Sequence, residues 1–385
     1  MQIRLSLKAL STLTVLMLFA SVIFVSTEYA KGSTPKKSDF ATFYFAACVM
    51  TDPEVPNSQI YDYPQPSLYS KYGITEKPMR YGYSIGAAYL LAPISLFSFK
   101  TAKIVCNVLN VITYVTAVAV VLWLRQVFGL RFIILLAVSL FWAPFLCNQM
   151  EVQTNTLILL FIALSVFLAE KKLPVFGGFF LGIASLFKLY PIIIAVVLGL
   201  KNWRITASCL LTFGASFLIP NSTAWFSSLD KSLYRYHSYP FHWLTHVDPL
   251  FFVIYVLIIA SVTAFAAYTA RHADYAALTS LALSGTLLIM PVINYHHFSV
   301  LIFCFICLFA SVKTLPPWLT GAAILSFLLV YCDPLQWPFL HESLITRWPI
   351  LSGGLFILWL SQVYLSLSRP LPHHKSHVAQ VTVKF

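Results

Sequence analysis

Apolar runs close to the length of a bilayer span recur along this chain, and that recurrence limits its fold more than any other feature. They are Leu5–Val25, Tyr83–Phe99, Ile104–Leu124, Phe132–Cys147, Thr156–Ala169, Pro174–Leu200, Ile205–Ile219, Leu250–Ala270, Tyr275–Pro291, Phe298–Val312, Trp318–Tyr331 and Pro349–Leu367. A spanning helix needs roughly 20 apolar residues, so these runs predict about 11 to 13 crossings. With 59% hydrophobic and only 10% charged residues among 385, a single soluble core has no room for so much apolar surface. The expected class is an all-α polytopic membrane protein. Pro174–Leu200 contains Lys188 and Pro191 and fits either one bent span or two short ones.

Arg4 and Lys8 precede the first run, as in a secretory signal. Glu28 stands two residues before Ala30, where a small residue would be needed for cleavage, so the run is read as an uncleaved anchor. Basic residues favour cytoplasmic turns. That rule assigns Lys171-Lys172, Lys201 to Arg204, Arg271-His272, Lys313 and the tail 369–385 to the inside. Loops 28–80 and 221–249 then lie outside, and residues 1–368 form one transmembrane domain. One conflict stands: Lys100/Lys103 and Arg125/Arg131 cannot share a side if Ile104–Leu124 crosses once. The net charge of +12 is explained by orientation and attraction to anionic membrane lipids, with no call for nucleic acid. Seven scattered cysteines give no disulfide framework, and Cys304 and Cys307 read as packing inside a span.

Six of the thirteen acidic residues (Glu28, Asp39, Asp52, Glu54, Asp62, Glu76) fall in the first loop. Within it, Asp39–Met50 is expected to be a helix lying at the interface, because Phe40, Phe43, Tyr44 and Ala47 recur at helical spacing. Ser38 is its candidate N-cap. The loop 221–249 is rich in Trp, Tyr and His, a composition typical of an interfacial belt.

Polar groups at membrane depth cost roughly 2.5–3.5 kcal/mol for a central charge and so require a reason. Four clusters qualify: Asp39 with Tyr44; Asn148-Gln149 through Glu151, Gln153 and Asn155; Lys188-Leu189-Tyr190-Pro191; and Asn294-Tyr295-His296-His297. Each alone has a structural explanation, such as snorkelling for Lys188 or capping for Gln153 to Asn155. The charge rule puts three of them on one side, and the Gln153/Asn155 turn joins them if Glu170–Lys172 is cytoplasmic and Thr156–Ala169 crosses once, which favours a shared site.

In order along the chain, Asp39-Phe40-x-x-Phe43-Tyr44-x-Ala46, Ile60-Tyr61-Asp62, Tyr81, Pro93, Gln153-x-Asn155, Phe187-Lys188-Leu189-Tyr190-Pro191 and Pro291-x-x-Asn294-Tyr295-His296-His297 resemble the pattern of the family 87 (DUF2029) glycosyltransferases. The resemblance runs from about Met1 to Val312. Two departures are visible. Family members often carry Tyr-Pro-Pro where this chain has Tyr81-Gly82-Tyr83-Ser84, and Gly-Gln-x-Asn where it has Val152-Gln153-Thr154-Asn155.

The resemblance implies the GT-C fold, a bacterial inner membrane, and inverting transfer of a mannose- or arabinose-type sugar from a polyprenyl-phosphate donor to a lipid or glycan acceptor at the exoplasmic face. Asp39 is then the expected base, at a helix N-terminus that favours its charge. Arg80, Lys188, His296 and His297 are expected at the phosphate. Gln153, Asn155 and Asn294 would orient polar groups of the substrate, and Tyr44, Tyr81 and Tyr190 would stack on or bond the sugar. Glu151 and Asp62 are alternative acids. No metal or cofactor is expected beyond the lipid-linked sugar phosphate. Two rival readings are a transporter or flippase, disfavoured by the one-sided clusters, and a metal hydrolase using His296-His297, disfavoured because adjacent histidines diverge on a helix.

Overall fold

The computed structural model describes residues 39–62, 64–226, 249–290, 295–331 and 344–368. The first apolar run, Ser38, most of the aromatic loop 221–249, Asn294 and the tail lie outside the described residues. Among those described, the elements are α-helices and short 3₁₀ segments, with no strand. In chain order the helices are α1 (Asp39–Thr51), α2 (Pro66–Lys71), α3 (Ile85–Leu91), α4 (Phe99–Leu124), α5 (Leu130–Leu140), α6 (Ala143–Glu151), α7 (Asn155–Glu170), α8 (Pro174–Phe187), α9 (Tyr190–Gly199), α10 (Trp203–Ala215), α11 (Pro249–Thr269), α12 (Tyr275–Ile289), α13 (Ile302–Ala310), α14 (Pro317–Tyr331) and α15 (Leu344–Ser368). This is an all-helical membrane protein.

Among the described residues two helices are long and apolar enough to cross a membrane, Phe99–Leu124 and Ile350–Ser368; α5 and α6, bent by 50° at their junction, make a third if taken as one broken span. The remaining apolar helices have 10 to 17 residues, counting α11 from Val253. Several of the expected crossings are thus built, among the described residues, from helices shorter than a full span. The reason is local: an apolar run counts side chains, whereas a helix also stops where a proline or a polar cluster interrupts it. Pro174–Leu200 divides in this way at Lys188, whose backbone is extended at φ −147° and ψ 141°. It is two short helices.

Side-chain contacts sort the helix ends into two groups and remove the charge conflict around α4. At its N-terminal end Lys103 is buried and pairs with Glu76 of the first loop at 2.5 Å. At the other end Arg125 pairs with Asp274 at 3.1 Å and donates to Ser311. The same end holds Arg131, donating to the Phe309 carbonyl, Lys171 over the Trp123 ring, and Lys201 bonded to the Ala273 carbonyl. Lys103 thus sits with the acidic loop, and the basic residues gather at the opposite end.

The expected helix over Asp39–Met50 is present as α1, with Asp39 in its first turn. It does not lie with one face open, however. Phe40 through Val49 are all buried, enclosed by Asn57–Tyr61, α3, Ala92–Leu96 and the start of α4. A sequence apolar on every side demands enclosure on every side.

Close packing between α8 and α10 depends on glycine. A Cβ on Gly182 would lie 2.5 Å from the Thr212 Cβ and 2.9 Å from the Cys209 carbonyl oxygen. Gly182→Val is therefore expected to destabilise by about 1–3 kcal/mol through overpacking. Gly214→Ala, where nothing lies within 4 Å of the added carbon, should be neutral or slightly stabilising. Thermal unfolding of the two variants in detergent checks the contrast, and equal losses would refute the packing argument.

Candidate active site

Pro191 occupies the first turn of α9, where its missing N–H is tolerated, but it prevents α8 from running through as one helix. The resulting break leaves α8 with carbonyls that need donors. Ser84 supplies them, its backbone N–H reaching the Leu186 carbonyl at 3.3 Å and its hydroxyl at 2.8 Å. That clasp ties Tyr81–Ser84 to the break. Tyr83 is thereby placed under Lys188, whose ammonium lies 5.1 Å from the ring centroid. Lys188 also bonds His297 Nε2 at 2.6 Å. An ammonium can only donate, so Nε2 accepts and the His297 ring is neutral.

Gln153 reaches Asp39 from the turn between α6 and α7, its side-chain amide donating to Asp39 Oδ2. The turn is braced by Asn148, which donates to the Gln153 carbonyl at 3.1 Å and accepts from the Asn155 amide at 3.0 Å. Val152 gives it its shape, with φ 48° and ψ 49° in the left-handed region. A β-branched residue is strained there by about 1–3 kcal/mol. Burial of its side chain against the α1 cluster offsets that strain. The turn therefore keeps the conformation a glycine would adopt at this point, although the chain has none.

Burial pushes the Asp39 carboxyl above its ordinary value of 3.8, while the Gln153 bond and the Lys188 charge pull it back down. The helix N-terminus beneath it also favours the anion. Among the described residues Lys188 forms no ion pair. The cluster thus holds an ionisable carboxyl and, beside it, a cation resting on a neutral imidazole and an aromatic face.

Four of the residues singled out from sequence, Asp39, Gln153, Lys188 and His297, come together, and the His296 ring packs tilted against His297 with centroids 4.5 Å apart. Asn155 stands one turn away through Asn148. Tyr190 is buried beside the break, its hydroxyl without a partner. Three others are engaged elsewhere. The Tyr44 hydroxyl donates to the Phe97 carbonyl at 2.6 Å, and its side chain lines an open cleft of about 420 Å³ with Cys48, Thr51, Asp52, Lys71 and Tyr72. Arg80 donates to the Tyr61 carbonyl at 2.7 Å. Tyr81 is fully buried and packs against Tyr61 and Tyr83. Among the described residues no three His, Cys, Asp or Glu side chains converge on one point.

Residues 81–239 match the family model of glycosyltransferase family 87. Over this stretch the chain is similar to the glycosyltransferases of family 87. No curated protein matches it. The matched stretch of the glycosyltransferase carries Tyr83, Gln153, Asn155, Lys188 and Tyr190, whereas Asp39 and the histidine pair lie before and after it. The fold brings these outside residues to the matched ones. Tyr83 was not singled out from sequence as a site residue, and its one signal was its place in Tyr81-Gly82-Tyr83-Ser84.

The raised Asp39 carboxyl fixes a sign for stability. Folding holds a proton on it that the unfolded chain has already released, so its contribution is present below 3.8 and is lost as pH rises through the folded value. Near pH 7, well above 3.8, keeping this carboxyl buried is a cost to folding. Asp39→Asn keeps an acceptor for Gln153 and removes that cost, so its melting temperature at pH 7 should equal or exceed the wild type, with the difference shrinking on acidification. A variant that melts lower at pH 7 would contradict this.

Proposed function

We propose that this glycosyltransferase moves a sugar from a polyprenyl-phosphate donor to a hydroxyl of a lipid or glycan acceptor, with inversion, at the exoplasmic face of a bacterial inner membrane. The reading rests on one observation: the Asp39 carboxyl, bound by Gln153, shares an end of the bundle with a Lys188 ammonium that has no carboxylate on it. The opposite end gathers Arg125, Arg131, Lys171 and Lys201, which is the pattern of a cytoplasmic rim.

In this mechanism Asp39 takes the proton of the acceptor hydroxyl as its oxygen attacks the anomeric carbon. The bond from that carbon to the phosphate oxygen breaks, and the phosphate leaves with the electron pair. Lys188, steered by His297 and Tyr83, meets the charge that develops there. His296 and Asn294 are assigned to the same phosphate end, and Gln153 and Asn155 to sugar hydroxyls. The cation needs no counter-ion of its own in a site built to receive an anion, and a lipid-borne phosphate approaches from the membrane side. Mannose- and arabinose-type donors both fit this chemistry.

A panel of radiolabelled polyprenyl-phosphate sugars offered to the purified enzyme in proteoliposomes tests the reading. Transfer from at least one is expected. Asp39→Ala should lose about 10²–10⁴-fold in kcat, the range for a general base. Lys188→Gln should lower kcat as well as raise KM, because it acts on charge that grows in the transition state. Glu54→Ala, an exposed acid in the same loop, should be silent. Full activity in Asp39→Ala would sink the mechanism.

A further inference from the structure

Gln149 lies on α6, the helix that packs against the histidine segment Tyr295–Leu301. Trp142 is fully buried, and its indole N–H donates to the Phe298 carbonyl at 3.2 Å. Gln149 is 1% exposed, yet neither its amide nitrogen nor its amide oxygen has a hydrogen-bond partner.

It is not alone. Gln153 Oε1, Thr154 Oγ1, Asn155 Oδ1 and Ser299 Oγ are also buried without partners, on the same turn and on the facing segment. Buried polar atoms are nearly always paired, and both ends of one amide going unpaired is unusual. Such a group is costly in an empty site and useful in one that closes around a ligand rich in donors and acceptors. Hydroxyls of a sugar ring have that character, since each donates once and accepts twice.

We infer that Gln149 is a substrate-positioning residue, part of a subsite for the hydroxyls of the transferred sugar between α6 and the facing segment Tyr295–Leu301. This rests on the glycosyl-transfer reading and deepens it. The subsite would set which sugar is accepted, because a polar pocket built to bond a hydroxyl strongly rejects the analogue lacking it.

The test is Gln149→Met, which keeps the length of the side chain and removes its polar atoms. The probe is whichever radiolabelled polyprenyl-phosphate sugar the wild type uses, together with its monodeoxy analogues. The variant should melt at the same temperature as the wild type or a few degrees higher, because no bond is lost in the empty protein. Its KM for the donor should rise about 3–10-fold, the worth of one or two hydrogen bonds. One deoxy analogue that the wild type discriminates against should be used by the variant with little further loss. A lower melting temperature with unchanged KM would mean the amide is structural and overturns the inference, as would kinetics identical to wild type on every analogue. A wild type that transfers from no polyprenyl-phosphate sugar would sink the functional reading and this one with it. An active wild type beside an indifferent Gln149→Met would sink this one alone.

Discussion

The interaction on which the structure turns is the hydrogen bond from the Gln153 amide to the Asp39 carboxyl. A carboxyl at the head of a helix buried on all sides would normally protonate and become inert as a base. The amide donor, the helix N-terminus and the nearby Lys188 charge each favour the anion and offset part of what burial does to it. That balance ties two distant parts of the chain together. The first loop gains its anchor in the bundle through Asp39, and the turn after α6 gains its purpose. Strain at Val152 and the brace from Asn148 make sense as the means of holding Gln153 at this position.

The other half of the site follows from a broken helix. Pro191 separates α8 from α9, the freed Leu186 carbonyl is taken by Ser84, and Tyr83 arrives under the ammonium of Lys188 as a consequence. A lysine inside a continuous apolar helix would have to snorkel to an edge. At a break it is instead held between an aromatic ring and a neutral imidazole, two partners that leave its charge uncancelled. The same device that shortens the helices below a bilayer's thickness thus supplies the cation.

The sequence made some of this plain and concealed the rest for identifiable reasons. Asp39, Gln153, Lys188 and His297 were visible because an ionisable or amide side chain in apolar surroundings is expensive and so stands out. The all-helical class was visible in the runs themselves. Tyr44, Arg80 and Tyr81 looked equivalent to them by motif, but their polar groups are taken by the Phe97, Tyr61 and Ser84 carbonyls, and no pattern of residue types reveals which carbonyl a hydroxyl will meet. The side on which Lys103 lies was hidden because a charge rule counts residues and cannot see that Glu76 has already paired with this one. Helix lengths were overestimated because periodicity does not register a single extended residue at position 188.

A structure of the enzyme with a non-hydrolysable polyprenyl-phosphate sugar bound tests the central claim most directly. The account predicts the phosphate within hydrogen-bond distance of the Lys188 ammonium and the anomeric carbon facing the Asp39 carboxyl, with Gln153 still bonded to it. A phosphate held at the end that carries Arg125, Arg131 and Lys201, or a sugar seated out of reach of Asp39, would contradict it.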